Sequence, residues 1–226
     1  MHRSHPTPVL RHAVILCHPD PHSFNHAIAD AYCGAVAANG QETILRDLYA
    51  MRFDPVLKAQ ERPTIENFTV SADVQAELDV LRGCQAFVLI YPIWFGTPPA
   101  MLKGYVERVL GSGVNPRDVQ ARLPTSFLAG QRLVSFTTSA ASQPWLSEQG
   151  QWQALRYVFD HYLSHAFGMQ RDEHVHFASV VPGMEQRWAD QHLYQVEQQA
   201  RATCAAILAE RYHPRDEQAV PFRPLA

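Results

Sequence analysis

The first apolar block of the chain is continuous rather than alternating. Ala13-Val14-Ile15-Leu16-Cys17 predicts a strand over Val9–Cys17 that is covered on both faces. After the loop His18–Ser23 the period changes. Ala27, Ile28, Ala31, Tyr32, Ala35 and Val36 recur at helical spacing and predict a helix over Phe24–Asn39, stopped by Asn39-Gly40. The alternation continues with a strand at Glu42–Asp47, a helix at Ala72–Arg82 and a strand at Gln85–Tyr91 around Ala86-Phe87-Val88-Leu89-Ile90. A helix at Pro98–Leu110 opens on proline, which the first turn tolerates, and buries Leu102, Tyr105, Val106, Val109 and Leu110. Further on come a strand at Gln131–Thr137, a helix at Gln151–Phe167, a strand at His174–Val180 and a long helix at Met184–Arg211. Leu48–Val70, with Pro55 and Pro63, reads as a connection. Asn115–Gly130 reads as a loop or excursion, and both ends, about 1–8 and 213–226, as irregular.

Strands alternating with helices imply βαβ units and a parallel sheet. Right-handed crossovers make that sheet the middle layer of a three-layer α/β sandwich, and five strands fit the order 2-1-3-4-5. At 226 residues a single domain is expected. A formal charge of -3 speaks against nucleic acid or an acidic membrane as partner. No apolar run approaches the ~20 residues a transmembrane helix needs, and the first residues lack the apolar stretch of an export signal, so the cytoplasm is the expected location. The four cysteines, Cys17, Cys33, Cys84 and Cys204, are far apart and read as reduced, buried thiols.

Three loops follow strand ends, where ligands of open α/β sheets bind. The first, His18-Pro19-Asp20-Pro21-His22-Ser23-Phe24-Asn25, has neither a dinucleotide-binding nor a P-loop glycine pattern. It leads into a helix N-terminus, whose free N–H groups suit a phosphate; a plain N-cap at Ser23 accounts for it as well. The second, Tyr91-Pro92-Ile93-Trp94-Phe95-Gly96, puts two large aromatics in a loop, where a core has no use for them and a flat redox-active ring does. The third, Thr137-Thr138-Ser139-Ala140-Ala141-Ser142, is built of small and hydroxyl residues that allow close backbone approach, or form an ordinary polar turn. His161 with His165, and His174 with His176, have spacings that metal ligands use, but no accompanying Glu forms an H-E-x-x-H motif, and no metal site is assigned.

These segments, with Asp47-Leu48-Tyr49-Ala50-Met51, Phe53-Asp54-Pro55-Val56-Leu57 and Pro99-Ala100-Met101-Leu102-Lys103-Gly104, occur in an order that resembles the NAD(P)H:quinone oxidoreductases of flavodoxin-like fold. The resemblance runs from about Ala13 to Leu110 and more weakly to about Leu208. It implies a flavodoxin-like three-layer sandwich and a flavin, FAD or alternatively FMN. His18, Ser23, Phe24 and Asn25 would hold its phosphates and ribityl chain. Pro92, Ile93, Trp94 and Phe95 would line the isoalloxazine, partly through backbone groups, Thr137 and Thr138 would close over its pyrimidine edge, and Ser139 beside them is a further cofactor-binding candidate. It further implies NADPH or NADH as donor, a quinone or other flat aromatic acceptor, and a homodimer. Some relatives are ancillary subunits of membrane transporters, which is the alternative function. A one-electron carrier fits poorly, because such carriers are strongly acidic. Two departures matter. Ser139-Ala140 stands where the family has Gly-Gly, and Trp145, a candidate wall for the substrate beside Trp94, stands near the place of a family Tyr whose partner His is absent. The resemblance therefore assigns no acid–base residue.

Overall fold

A computed structural model describes residues 9–212, side chains at 171 and 172 excepted; the readings for the two chain ends lie outside the described residues. Five strands, β1 (Arg11–Leu16), β2 (Glu42–Asp47), β3 (Ala86–Pro92), β4 (Arg132–Thr138) and β5 (Arg171–Phe177), form one parallel sheet of order β2-β1-β3-β4-β5. The continuous apolar runs are the interior strands. Every residue of β3 and β4 is buried, because helices cover both faces.

Successive residues serve opposite cores. Ala13, Ile15, Phe87, Leu89, Tyr91 and Leu133 face one core, closed by α2 (Ala72–Leu81), α3 (Ala100–Tyr105) and the helical stretch from α6 (Gln151–Leu155) to α7 (Tyr162–Ala166). Val14, Leu16, Val88, Ile90, Val134 and Phe136 face the other, closed by α1 (Phe24–Ala38) and α8 (Gln186–Tyr212). Among the described residues no helix is long and apolar enough to cross a membrane. The cysteines are free, with Cys33 half-buried and the other three buried. Burial pushes the Cys17 thiol up to about 12.

One reading of the pattern is corrected, and two short helices are added to it. The fifth strand spans Arg171–Phe177, not His174–Val180. As an edge strand it tolerates the polar start that hydropathy passes over, and Ser179, at φ 57°, turns the chain out of extended geometry soon after it. The stretch Asn115–Gly130 contains a short helix, α4 (Pro116–Ala121), whose first turn is capped by the Asn115 side chain accepting from Arg117 N at 2.9 Å. A second short helix, α5 (Gln143–Glu148), starts with Ser142 accepting from Trp145 N. Asn-Pro, and Ser ahead of a Pro at the second helical position, are the local signals both times.

The long connection after β2 is held from below by one buried cation. Helix α3 runs into a π turn, Val106–Leu110, that carries Arg108. Its guanidinium donates to both Glu61 carboxylate oxygens, at 2.8 and 2.6 Å, and to the Asp54 carbonyl at 2.6 Å. Asp73 on α2 pairs with it at 2.8 Å. The connection, α2 and α3 thereby share one electrostatic anchor.

Candidate functional site

The three strand-end loops meet in a cleft of about 230 Å³ at the carboxyl edge of the sheet, lined by His18, Ser23, Phe24, Asn25, Pro92, Ile93, Trp94, Thr138, Ser139, Ala140 and Val180. Backbone bonds fix this convergence. Cys17 N donates to Ile90 O at 2.9 Å, and Ile93 N donates to Thr138 O at 2.7 Å. The ends of β1, β3 and β4 thus lie side by side at the point where strand order reverses.

On the first loop, Ser23 precedes α1, but no side chain caps that helix. Ser23 Oγ instead pairs with His26 Nδ1 at 2.9 Å, and His26 Nε2 with Asp47 at 3.2 Å. The first turn of a 15-residue helix therefore opens uncapped toward the cleft, with its positive dipole end available to an anion. Asn25 is buried, and its amide donates to Thr138 Oγ1 at 3.0 Å, bridging the first and third loops. His18 lies against the Trp94 ring, centroids 5.8 Å apart, and burial lowers its pKa.

On the second loop, Trp94 and Thr97 close a two-residue turn by reciprocal backbone bonds of 3.0 and 3.1 Å. Phe95 and Gly96 at its tip have φ of 50° and 79°. Both central residues at positive φ is the geometry of a type I′ turn. Gly96 adopts it freely; Phe95 does so under strain. The turn presents Trp94 to the cleft and throws the Phe95 ring fully into solvent, at 106% relative exposure. The expectation that Phe95 lines the same pocket is therefore corrected: its ring stands outside it. Trp145, half-exposed on α5, also lies away from the cleft lining.

Thr137 requires a similar correction. Adjacent strand residues point to opposite faces, so only Thr138 reaches the cleft. Thr137 is fully buried on the other face, where its hydroxyl meets His174 Nε2 at 2.7 Å and His176 Nδ1 at 2.8 Å. Ser139 returns to the face of Thr137 and bonds His176 Nε2 at 3.1 Å while still lining the cleft. This imidazole cluster was not part of the site expected from sequence. Its signal was the i, i+2 spacing of two histidines on one strand beside Ser135, Thr137 and Ser139 at the same spacing on its neighbour. Among the described residues no three His, Cys, Asp or Glu are grouped to hold a metal.

The geometry agrees with what known proteins show. A model of the flavodoxin-like fold family matches residues 11–201. An uncharacterized NAD(P)H oxidoreductase of Haemophilus influenzae is 37% identical over 105 residues, which are 46% of this chain and 52% of that protein. The NAD(P)H dehydrogenase (quinone) 1 of Rattus norvegicus is 34% identical over 123 residues, 46% of this chain and 44% of that protein. The chain thus spans about half the length of these curated relatives. Among solved structures, an NAD(P)H:quinone oxidoreductase from Methanothermobacter marburgensis superposes with a TM-score of 0.71 at 20% identity, covering 86% of this chain and 96% of that one. An FMN-dependent NADH-azoreductase from Bacillus anthracis, in complex with FMN, superposes with a TM-score of 0.63 at 13% identity, covering 87% and 100%. With the strand order, the cleft at its reversal point and a family match across most of its length, the chain belongs to the flavodoxin-like fold family.

Proposed function

We propose that the protein is a flavin-dependent NAD(P)H oxidoreductase that passes two electrons from a nicotinamide to a quinone or similar flat acceptor. The observation that carries this reading is the convergence of His18, Ser23, Phe24, Asn25, Pro92, Ile93, Trp94, Thr138 and Ser139 on one cleft. Names of relatives that act on NAD(P)H and quinones agree with it.

The residues present fit a flavin on two counts. The uncapped first turn of α1 offers N–H groups and a dipole to a phosphate beside Ser23 and Asn25. Trp94 and Ile93 supply an apolar wall to a ring, and the Asn25–Thr138 pair supplies polar atoms at its far side. FAD and FMN share the ring and the phosphate that these groups would meet. When bound, the flavin supplies the two-electron redox chemistry. The protein orients the ring, keeps water from one face and sets donors where negative charge develops. His18, on the cleft wall, offers an imidazole nitrogen as a hydrogen-bonding partner to a phosphate. A second, more open cavity of about 490 Å³, with Gly96, Thr97, Pro98, Leu155, Val158 and Phe159 in its wall, lies beside the Trp94 turn and offers an apolar entrance for a flat acceptor. Exposed Tyr157, Val158 and Tyr162 flank this side and suit a homodimer contact.

The test is the visible spectrum of the purified protein, followed by anaerobic addition of NADPH or NADH. A bound flavin band that bleaches on mixing is the expected result, and the faster nucleotide names the donor. A colourless protein that takes up neither FMN nor FAD overturns the reading. A bound flavin that neither nucleotide reduces leaves a flavin protein that is not this enzyme.

A further inference from the structure

Behind the cleft, β4 and β5 carry an unbroken line of hydrogen-bonding side chains on one face of the sheet. Ser135 pairs in register with His174, and Thr137 with His176. Asp160, 1% exposed, reaches this line from the π turn Arg156–His161. Its carboxylate pairs with His174 Nδ1 through one oxygen and accepts from Ser135 Oγ at 3.0 Å through the other. From His174 the line runs through Thr137 and His176 to Ser139 at the cleft. Trp152 covers both imidazoles, with ring centroids 4.7 and 5.1 Å away. Tyr91 faces Asp160 from β3 with its hydroxyl unpartnered; burial, then the carboxylate, hold it protonated.

The proton positions follow from the ends. Each hydroxyl has one proton to donate, and a carbonyl can only accept. Ser139 Oγ donates to Ala141 O at 2.9 Å, so it accepts from His176 Nε2–H. Neutral His176 then accepts at Nδ1 from the Thr137 hydroxyl, and Thr137 accepts from His174 Nε2–H. His174 Nε2 thus carries a proton, and the bond between His174 Nδ1 and the Asp160 carboxylate holds one more. Burial, then the neighbouring His174, lower the His176 pKa to about 4, so at neutral pH it keeps the single proton this arrangement requires. Reversing the bonds between His174 Nε2 and Ser139 gives a second complete arrangement. Ser139 donates to His176 Nε2, His176 Nδ1–H to Thr137, Thr137 to His174 Nε2, and His174 Nδ1–H to Asp160. Ala141 O keeps its bond from Ser179 N at 3.0 Å. The second arrangement holds one proton fewer than the first.

We propose that Asp160, His174, Thr137, His176 and Ser139 form a proton conduit that delivers one proton from the buried His174–Asp160 pair to an anionic ring edge lying against Ser139. The nature of the acceptor rests on the flavin reading. Four transfers make the step: Ser139 O–H to the acceptor, His176 Nε2–H to Ser139, Thr137 O–H to His176 Nδ1, and His174 Nε2–H to Thr137. No electron moves along the chain. His174 ends neutral and the acceptor gains one positive charge. Run backwards, the chain takes the proton back when the ring edge gives it up, so it works as a store without opening to solvent. Ser139 touches the acceptor; Thr137, His174, His176 and Asp160 act through it.

The experiment has two arms. In flavin-free wild-type protein, nitrogen-15 NMR of the imidazoles at neutral pH is expected to show His174 protonated at Nε2 and His176 at Nε2 alone. A His174 Nε2 without its proton overturns the conduit whatever binds in the cleft. In flavin-loaded protein, Thr137→Val removes the hydroxyl at nearly constant shape. Reduction of the bound flavin by the faster nucleotide is expected to slow about ten- to hundred-fold, with loss of the solvent deuterium effect, and Thr137→Ser is expected to restore both. Thr137→Val with wild-type rate and isotope effect, or a Thr137→Ser protein no better than Thr137→Val, overturns the conduit and leaves the flavin reading standing. Wild-type protein that takes up no flavin overturns the flavin reading and removes the acceptor with it.

Discussion

Phe95 holds a backbone conformation that few bulky residues tolerate, and its ring packs on nothing among the described residues. Strain of this kind costs about 1–3 kcal/mol and persists where function retains it. Asn occupies the left-handed region more readily. Phe95→Asn is therefore expected to raise stability by about 1 kcal/mol, read as a higher urea midpoint at unchanged slope. Glu61 gives the opposite sign. The Arg108 guanidinium beside it holds its carboxyl at about 2, below the ordinary 4.5. A depressed carboxylate stabilises the fold fully above its unfolded value, and this contribution is lost as pH falls from about 4.5 through about 2. His176 adds an earlier loss with the same direction in pH. Its folded value near 4 lies below the ordinary 6.5, so the unfolded chain binds the extra proton first and stability declines as pH drops through that interval. Glu61→Gln is expected to cost about 3 kcal/mol at neutral pH, because it leaves a buried guanidinium short of a partner, and to flatten the lower part of the acid limb. Denaturant titrations at stepped pH separate the two contributions. The sequence pointed to residues of the cleft through their loops but not to facing. Thr137 and Thr138 are indistinguishable as a pair until the strand sets their parity, and His174 and His176 acquire meaning only once Asp160, 14 residues or more upstream on a helix, is folded onto them.

Gly104 shows how one element is seated on another. A methyl added at its Cα would lie 2.2 Å from the Pro55 carbonyl oxygen and 2.4 Å from the Pro55 Cβ. Helix α3 therefore lies directly on the connection that Arg108 anchors one turn later. In an exposed helix Gly→Ala gains up to about 1 kcal/mol. Here Gly104→Ala is expected to destabilise by about 1–3 kcal/mol, since backbone must move to admit the methyl. Its amide exchange is expected to rise over Leu48–Val70 and the start of α3 while β1 and β3 keep their protection. At this scale the chain was legible where burial is uniform. β1, β3, β4, α1 and α8 appear within a few residues of where period and caps place them. The connection was not legible as an ordered segment, because its order comes from Arg108, a cation 47 residues beyond Glu61, and from a glycine inside a helix. The start of β5 was hidden for the complementary reason: an edge strand needs no continuous apolar run.

For the whole molecule, alternation and right-handed crossovers give a parallel three-layer sandwich, the resemblance selects the order 2-1-3-4-5, and the cleft follows from that order. What that order does not contain is how strongly the cleft is used. A ligand that binds only the folded chain stabilises it by RT ln(1 + [L]/Kd), about 2.7 kcal/mol at a hundredfold excess over Kd. For a domain of this size each kcal/mol moves Tm by about 2–4 °C. A flavin at that excess is therefore expected to raise Tm by roughly 5–10 °C in differential scanning calorimetry of the flavin-free protein. FMN and FAD tested at equal free concentration rank their affinities by the size of the shift. Asn25→Ala is expected to lower the flavin-induced shift, because it removes the amide that joins the first loop to Thr138. Its own loss of basal stability is subtracted by measuring both proteins without flavin. Riboflavin, which has the ring and no phosphate, separates the two halves of the cleft. If the uncapped first turn of α1 holds the phosphate, riboflavin gives a much smaller shift than FMN; equal shifts would place the binding energy on the Trp94 side and leave the helix terminus without that role.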